Sequence, residues 1–129
     1  MNVFIGDDSS IVCRGLNTML SEFPDVHIVG KAATAQDAIT EVEVMNPDVV
    51  ILDIRLRDGS GIEVLERIKK GTTSPIVIML TNYPYPQYRK RCMDLGADYF
   101  FDKVTEIELV RDVFSDMLQT DDSDKNETL

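Results

Sequence analysis

Short hydrophobic runs alternate with longer segments of helical periodicity along most of this chain. The runs are rich in Val, Ile, Leu and Phe, and the segments between them repeat apolar residues at three- and four-residue steps. This alternation predicts five β-α units, in which helices cover both faces of a parallel sheet. The strands are predicted at 2–6, 26–31, 48–53, 75–80 and 97–101. The third and fourth are almost wholly apolar, which predicts that they are central.

Five amphipathic helices follow the predicted strands, and each has one apolar stripe. The stripes are Ile11, Leu16, Met19 and Leu20; Ala38, Ile39, Val42 and Met45; Ile62, Leu65 and Ile68; Tyr85, Tyr88, Cys92 and Leu95; and Ile107, Val110, Phe114 and Met117. Ser60 with Glu63, and Thr105 with Glu108, have the spacing of capping boxes at helix starts. The polar composition of 120–129 predicts a disordered acidic tail, which leaves residues 1–119 as one domain.

Composition narrows the class of protein. A length of 129 residues fits one domain, and the formal net charge of −10 argues against a domain that contacts nucleic acid directly. The sequence has no CxxC spacing, no signal peptide and no apolar run near the roughly 20 residues of a membrane helix. We therefore expect a cytoplasmic protein without membrane insertion, with Cys13 and Cys92 as reduced thiols.

Reactive side chains follow four of the predicted strands. Asp7 and Asp8 come after the first strand, Asp53 after the third, Thr81 after the fourth and Lys103 after the fifth. The carboxyl ends of parallel strands meet at one edge of the sheet, where open α/β folds bind ligands. Crowded carboxylates raise one another's pKa unless a cation neutralises them. Oxygen ligands without Cys or His favour Mg²⁺, with Mn²⁺ as the alternative.

The same edge has the groups needed for phosphoryl transfer. A carboxylate can attack phosphorus to give an acyl phosphate, and Asp53, at the end of the central strand, is the candidate nucleophile. Lys103 and a divalent cation would offset the charge of the phosphoryl oxygens, and Thr81 would supply a hydroxyl donor. The single histidine, His27, lies in the second predicted strand, far from this edge. The chain is therefore not expected to donate a phosphoryl group from its own histidine.

Together these residues resemble the response regulator receiver domain of two-component signalling, over about residues 1–118. The pattern consists of Asp7-Asp8, Asp53 with Asp58-Gly59-x-Gly61 behind it, Thr81, and Gly96-Ala97-Asp98 leading to Lys103. The resemblance implies a flavodoxin-like, doubly wound α/β fold in three layers. Its five-stranded parallel sheet would have the strand order 2-1-3-4-5.

The resemblance also implies how the site works. Asp53 would accept a phosphoryl group from a sensor histidine kinase or from a phosphotransfer protein of a phosphorelay. Asp8, Asp53 and the backbone carbonyl of Arg55 would hold Mg²⁺, and Asp7 would act through water. Such a domain catalyses only its own phosphorylation and dephosphorylation, so we do not expect an enzyme that acts on other substrates.

Phosphorylation of a receiver changes its protein contacts. By resemblance, Thr81 would turn toward the phosphoryl oxygen and the ring of Phe100 would follow into the space that it leaves. The face formed by the fourth helix, fifth strand and fifth helix would contact a downstream protein target. A monomer or a phosphorylation-dependent dimer is expected.

The sequence departs from the family pattern around the site. Val104 follows Lys103 where a proline is usual, and a cis bond before a non-proline residue would cost about 3–4 kcal/mol, so either a trans bond or a strained cis bond is expected. Asn82 stands where a smaller residue is common. Arg55 and Tyr83 flank the site with large side chains. These neighbours predict a comparatively long-lived phosphorylated form, because they restrict the attacking water.

Two other functional classes share parts of this pattern. A Mg²⁺-dependent aspartyl-phosphate phosphatase of the haloacid-dehalogenase type needs a second acid two residues after Asp53, where this chain has Arg55. A flavodoxin-like cofactor binder needs a glycine- and hydroxyl-rich phosphate loop where this chain has Asp7-Asp8. Within the receiver class, the chain is either a stand-alone receiver or a receiver excised from a longer DNA-binding response regulator. The acidic tail ending at Leu129 favours the first.

Overall fold

The computed structural model describes the backbone of residues 1–127 and the side chains of residues 1–119. Strands and helices alternate along it. They are β1 Asn2–Gly6, α1 Ser10–Leu20, β2 His27–Ala32, α2 Ala35–Met45, β3 Val49–Leu52, β4 Arg55–Leu56, β5 Gly59–Ser60, α3 Gly61–Lys69, β6 Ile76–Thr81, α4 Pro86–Asp94, β7 Tyr99–Asp102 and α5 Glu108–Glu127. The five predicted β-α units are therefore confirmed, with strand ends that differ by at most two residues.

Five strands form one parallel sheet in the order β2-β1-β3-β6-β7. Counting only these five strands, the order is the predicted 2-1-3-4-5. The central strand β3 pairs with β1 on one side and β6 on the other, and all four of its residues are buried. Its wholly apolar content of Val, Ile and Leu therefore reflects cover on both faces of the sheet.

The core has two layers because successive strand residues point to opposite faces of the sheet. Phe4 points to the face covered by α2, α3 and α4, whereas its neighbours Val3 and Ile5 point to the face covered by α1 and α5. The same alternation runs through β3 and β6. The predicted three-layer α/β sandwich is therefore confirmed.

The predicted apolar stripes are wrong at three helix ends. Ile11 is 77% exposed, Met45 is 40% exposed and Tyr85 is 51% exposed. Ile11 and Met45 lie in the first and last turns of their helices, and Tyr85 is the residue that precedes α4. Ile11 lies five residues before Leu16 and so falls off the buried face of α1. Met45 lies beside Gly30 of β2 but stays partly exposed at the end of α2. The predicted capping box at Thr105 is also wrong, because Thr105 lies in a turn and α5 begins at Glu108.

Two further features bear on the boundaries of the domain. A short antiparallel hairpin, β4–β5, follows the central strand. The backbone of α5 extends to Glu127, into the segment 120–129, and residues 128–129 lie outside the described residues. Disorder of that segment stays a prediction. Among the described helices, none is both long enough and apolar enough to cross a membrane.

Candidate functional site

Backbone hydrogen bonds fix the three charged residues of the site at the carboxyl edge of the sheet. The N–H of Asp7 donates to the carbonyl of Ala32 at 2.9 Å, and that of Asp53 donates to the carbonyl of Gly6 at 2.8 Å. The N–H of Lys103 donates to the carbonyl of Thr81 at 2.8 Å. Each of these residues thus extends the backbone hydrogen bonding between neighbouring strands by one residue. This places its side chain at the carboxyl edge of the sheet.

Lys103 joins the two buried carboxylates. Its Nζ donates to Asp7 Oδ2 at 2.7 Å and to Asp53 Oδ2 at 2.8 Å. All three side chains are at most 7% exposed. Burial raises the pKa of Asp7, although the hydrogen bond from Lys103 opposes the rise. Burial alone would lower the pKa of Lys103, but its hydrogen bonds to Asp53 and Asp7 outweigh it and raise that pKa.

Three carboxylates form a cluster of possible metal ligands. One oxygen from each of Asp7, Asp8 and Asp53 lies within 4.8 Å of the others. Asp8 is exposed, whereas Asp7 and Asp53 are buried. The Oδ1 atom of Asp53 is buried and has no hydrogen-bond partner within the described part of the chain. A buried carboxylate oxygen left unpaired is costly, so the donor set fits a hard divalent cation at this position.

Both carboxylate oxygens of Asp7 accept hydrogen bonds. Its Oδ1 accepts a hydrogen bond from the N–H of Ser9 at 2.8 Å, while its Oδ2 accepts from Lys103. Ser9 in turn caps α1, because its hydroxyl accepts from the N–H of Val12. Asp7 therefore ties the first loop to Lys103 with both of its oxygens, whereas one oxygen of Asp53 accepts no hydrogen bond from the described residues.

Gly61 is required by the backbone that follows Asp53. Its N–H donates to the carbonyl of Ile54 at 2.5 Å, which closes the segment between β3 and α3. A Cβ atom at residue 61 would overlap the carbonyl oxygen of Asp53. The second glycine of the sequence motif thus allows the start of α3 to approach the phosphoacceptor candidate directly.

Two large side chains meet at the rim of the site. The guanidinium of Arg55, which follows β3, stacks over the ring of Tyr83, which follows β6, with its carbon 4.1 Å from the ring centroid. The N–H of Tyr83 donates to the hydroxyl of Thr81 at 3.0 Å, and Thr81 is fully buried. The sequence places Arg55 and Tyr83 beside the site but has no signal for this contact between them.

Phe100 lies in the core rather than beside the carboxylates. Its ring is 3% exposed and packs in the core layer of α2, α3 and α4. Arg89 of α4 covers it, with the guanidinium carbon 4.8 Å from the ring centroid and a 3.3 Å hydrogen bond to the Phe100 carbonyl. On the other side of the site, the peptide bond between Lys103 and Val104 is trans, which settles the alternative left open by the sequence.

One contact of the site region is long-range and escapes sequence reasoning. Asp58, which belongs to the sequence motif behind Asp53, accepts hydrogen bonds from the N–H groups of Ala35 and Gln36. The partners are 23 and 22 positions away in the chain. The Asp-Gly pair indicates a turn but contains no signal for which helix that turn contacts.

Comparison with known sequences shows which protein family this chain matches. A family model of the response regulator receiver domain matches residues 3–114. The response regulator protein VraR of Staphylococcus epidermidis is 31% identical over 112 residues, which cover 87% of this chain and 54% of that protein. The chain thus spans about half the length of the curated relatives that it matches.

Solved structures superpose closely on this fold. The signal receiver domain of a DNA-binding response regulator from Colwellia psychrerythraea has a TM-score of 0.83 at 26% identity, covering 92% of this chain and 98% of that one. A LuxR-family DNA-binding response regulator from Staphylococcus aureus has a TM-score of 0.81 at 26% identity, covering 89% and 96%. A chain of the CheX-CheY-BeF3-Mg complex from Borrelia burgdorferi has a TM-score of 0.74 at 28% identity, covering 88% and 89%. This chain therefore belongs to the response regulator receiver domain family of two-component signalling.

Proposed function

We propose that Asp53 accepts a phosphoryl group from the phosphohistidine of a sensor kinase or phosphotransfer protein, with Mg²⁺ at the adjacent carboxylates. The observation that carries this proposal is the pairing of buried Asp53 with Lys103, while its second oxygen has no protein partner among the described residues. The similar chain from Borrelia burgdorferi was crystallised in a complex with BeF3 and Mg²⁺. Mn²⁺ would fit the same oxygen ligands.

Each residue has a distinct task in this proposal. Asp8, Asp53 and the backbone carbonyl of Arg55 hold the cation, while Asp7 acts through water because both of its oxygens already accept hydrogen bonds. When bound, Mg²⁺ neutralises negative charge on the phosphoryl oxygens during transfer. Lys103 supplies a fixed positive charge next to the attacking carboxylate. Receiver domains are generally not classed as enzymes, and the phosphoryl transfer takes place on the chain itself.

The proposed switch begins at Thr81. Its hydroxyl accepts a hydrogen bond from the N–H of Tyr83. On phosphorylation, the hydroxyl would break this hydrogen bond and donate to a phosphoryl oxygen instead. The loop between β6 and α4 then loses one of its anchors, so α4 can move relative to β7. Phe100 is already buried beneath Arg89, and we propose that its ring adjusts within the core as α4 moves. The α4–β7–α5 face would then change its affinity for a downstream protein.

The direct test is phosphorylation of the purified protein by acetyl phosphate with Mg²⁺. Intact-mass analysis should show one added phosphoryl group in the wild type and none in Asp53→Asn. The variant should keep the circular dichroism spectrum of the wild type. Labelling of Asp53→Asn at another residue would contradict the assignment of Asp53. Labelling of the wild type that does not depend on a divalent cation would contradict the metal site.

The contact between Arg55 and Tyr83 supports a long-lived phosphoryl group. It joins the two loops that follow β3 and β6, next to Asp53 and Thr81, and so restricts the approach of water. The phosphoryl group on Asp53 should be hydrolysed faster in Arg55→Ala and in Tyr83→Ala than in the wild type. Arg57→Ala is the matched control, because Arg57 is also exposed in the same hairpin segment. Equal hydrolysis rates in all four proteins would refute this part of the proposal.

The proposal also covers the kind of protein in which this receiver domain acts. The similar regulator from Staphylococcus aureus is a DNA-binding protein, and the chain spans about half the length of its curated relatives. Either a stand-alone receiver in the cytoplasm or the receiver part of a DNA-binding response regulator fits these comparisons. Light scattering before and after phosphorylation distinguishes a constant monomer from a phosphorylation-dependent dimer. A phosphotransfer profile against purified histidine kinases identifies the donor.

A further inference from the structure

The hairpin that follows Asp53 is fastened to the start of α2. Asp58, at the tip of this hairpin, accepts the N–H of Ala35 at 2.5 Å and the N–H of Gln36 at 3.3 Å, with a different carboxylate oxygen for each. The neighbouring N–H of Arg57 donates to the carbonyl of Ala33 at 3.0 Å. Two consecutive hairpin residues therefore bind two parts of the β2–α2 junction.

The carboxylate of Asp58 suits this position. Ala35 and Gln36 are the first two residues of α2, so their N–H groups have no acceptor inside the helix. The helix has its own cap at Thr34, whose hydroxyl accepts from the N–H of Asp37. Asp58 thus accepts hydrogen bonds from the two N–H groups that the Thr34 cap does not bind. The hydrogen bond from Ala35 lowers the pKa of Asp58, so the carboxylate stays charged at neutral pH.

The same contact constrains the backbone at Arg55. Arg55 pairs with Ser60 in the hairpin, and Leu56, the next residue, is buried in the core layer on the α2 side of the sheet. One end of the segment is closed by the hydrogen bond between Gly61 and Ile54. Asp58 fixes the opposite end, the tip. A rigid hairpin holds its carbonyl groups in set directions, whereas a hairpin released at its tip does not.

We propose that Asp58 is a positioning residue, which clamps the hairpin to α2 and so holds the backbone carbonyl of Arg55 in the place where it binds the divalent cation. This inference rests on the proposed function, because it assigns a support to one ligand of that metal site. Residues that orient metal ligands without touching the metal commonly change affinity by tenfold or more when they are replaced.

The test compares three variants of the full chain by Mn²⁺ binding, measured from free Mn²⁺ in electron paramagnetic resonance titrations. Asp58→Ala should bind Mn²⁺ about tenfold more weakly than the wild type. Asp58→Asn keeps one acceptor oxygen and should recover part of that loss. Asp37→Ala is the matched control, because Asp37 is an exposed acid in the first turn of the same helix. It should bind Mn²⁺ as the wild type does.

A second measurement, made without metal, separates positioning from general stabilisation. In Asp58→Ala, amide hydrogen exchange should accelerate at Ala35, Gln36 and the hairpin, while the centre of the sheet keeps its protection. If Asp58→Ala is less stable to urea but binds Mn²⁺ as tightly as the wild type, the inference is wrong and the proposed function stands. If the wild type binds no divalent cation, both are wrong.

Discussion

Replacing Lys103 with Met should be among the most damaging single changes in this domain when no divalent cation is present. Lys103 Nζ lies 2.7 Å from one carboxylate and 2.8 Å from another, and all three side chains are buried. At an effective dielectric of about 20, each pair attracts by about 6 kcal/mol. Removing the ammonium also avoids its desolvation cost of several kcal/mol, so we expect a net loss of about 3–5 kcal/mol.

The assay is urea unfolding followed by circular dichroism at about pH 7, with and without Mg²⁺. Without metal, Lys103→Met should unfold at a clearly lower urea concentration and with an unchanged slope. Mg²⁺ should stabilise this variant more than it stabilises the wild type, because the cation replaces the missing positive charge. Lys70→Met is the control, since Lys70 makes an exposed ion pair with Glu66 on α3. It should unfold close to the wild type.

A double-mutant cycle shows where the loss comes from. In an Asp7→Asn background, one buried charge is gone before Lys103 is removed, so Lys103→Met should cost less by about 1–2 kcal/mol. Equal losses in both backgrounds would show that Lys103 does not act through Asp7. A Lys103→Met variant that unfolds with the wild type, in the absence of metal, would refute the electrostatic account of the site.

The pH dependence of stability and two glycine substitutions provide further tests. Burial raises the pKa of Asp7 above its unfolded value, so the folded state binds that proton more tightly. Without metal, the free energy of unfolding should therefore fall as pH rises through the folded pKa of Asp7. Thermal unfolding across a range of pH should show this fall in the wild type and not in Asp7→Asn. Gly61→Ala should cost about 1–3 kcal/mol or more, since the new Cβ would overlap the Asp53 carbonyl. Gly15→Ala, in an open position on α1, should gain up to about 1 kcal/mol by the same unfolding assay, and a loss there equal to that of Gly61→Ala would contradict the steric explanation.

Periodicity carries most of the information about this fold. The strands are recognisable because β3 and β6 are continuous apolar runs, and the carboxyl edge is recognisable because Asp53 and Lys103 directly follow strands. Parallel pairing then brings residues from distant parts of the chain to one edge, which the structure shows as contacts of 2.7 and 2.8 Å. The juxtaposition of Asp7, Asp53 and Lys103 was therefore predictable from sequence.

Contacts between loops were not predictable in the same way. The stacking of Arg55 on Tyr83 and the binding of Asp58 to α2 depend on the conformations of two loops at once, and no periodic pattern records them. The burial of Ile11 was misjudged for a different reason. Steps of three and four residues back from Leu16 lead to Cys13 and Val12, so Ile11 falls on the exposed side of α1 although it is apolar.

The hydrogen bonds of Lys103 also affect the order in which contacts form as the domain is synthesised and folds. They join residues 96 and 50 positions apart, so they depend on contacts that close long loops and are slow to form. During synthesis, Asp7 and Asp53 emerge well before Lys103, and until it arrives their carboxylates have no lysine partner. A growing chain therefore completes the cluster of Asp7, Asp53 and Lys103 only when its last strand, β7, is in place.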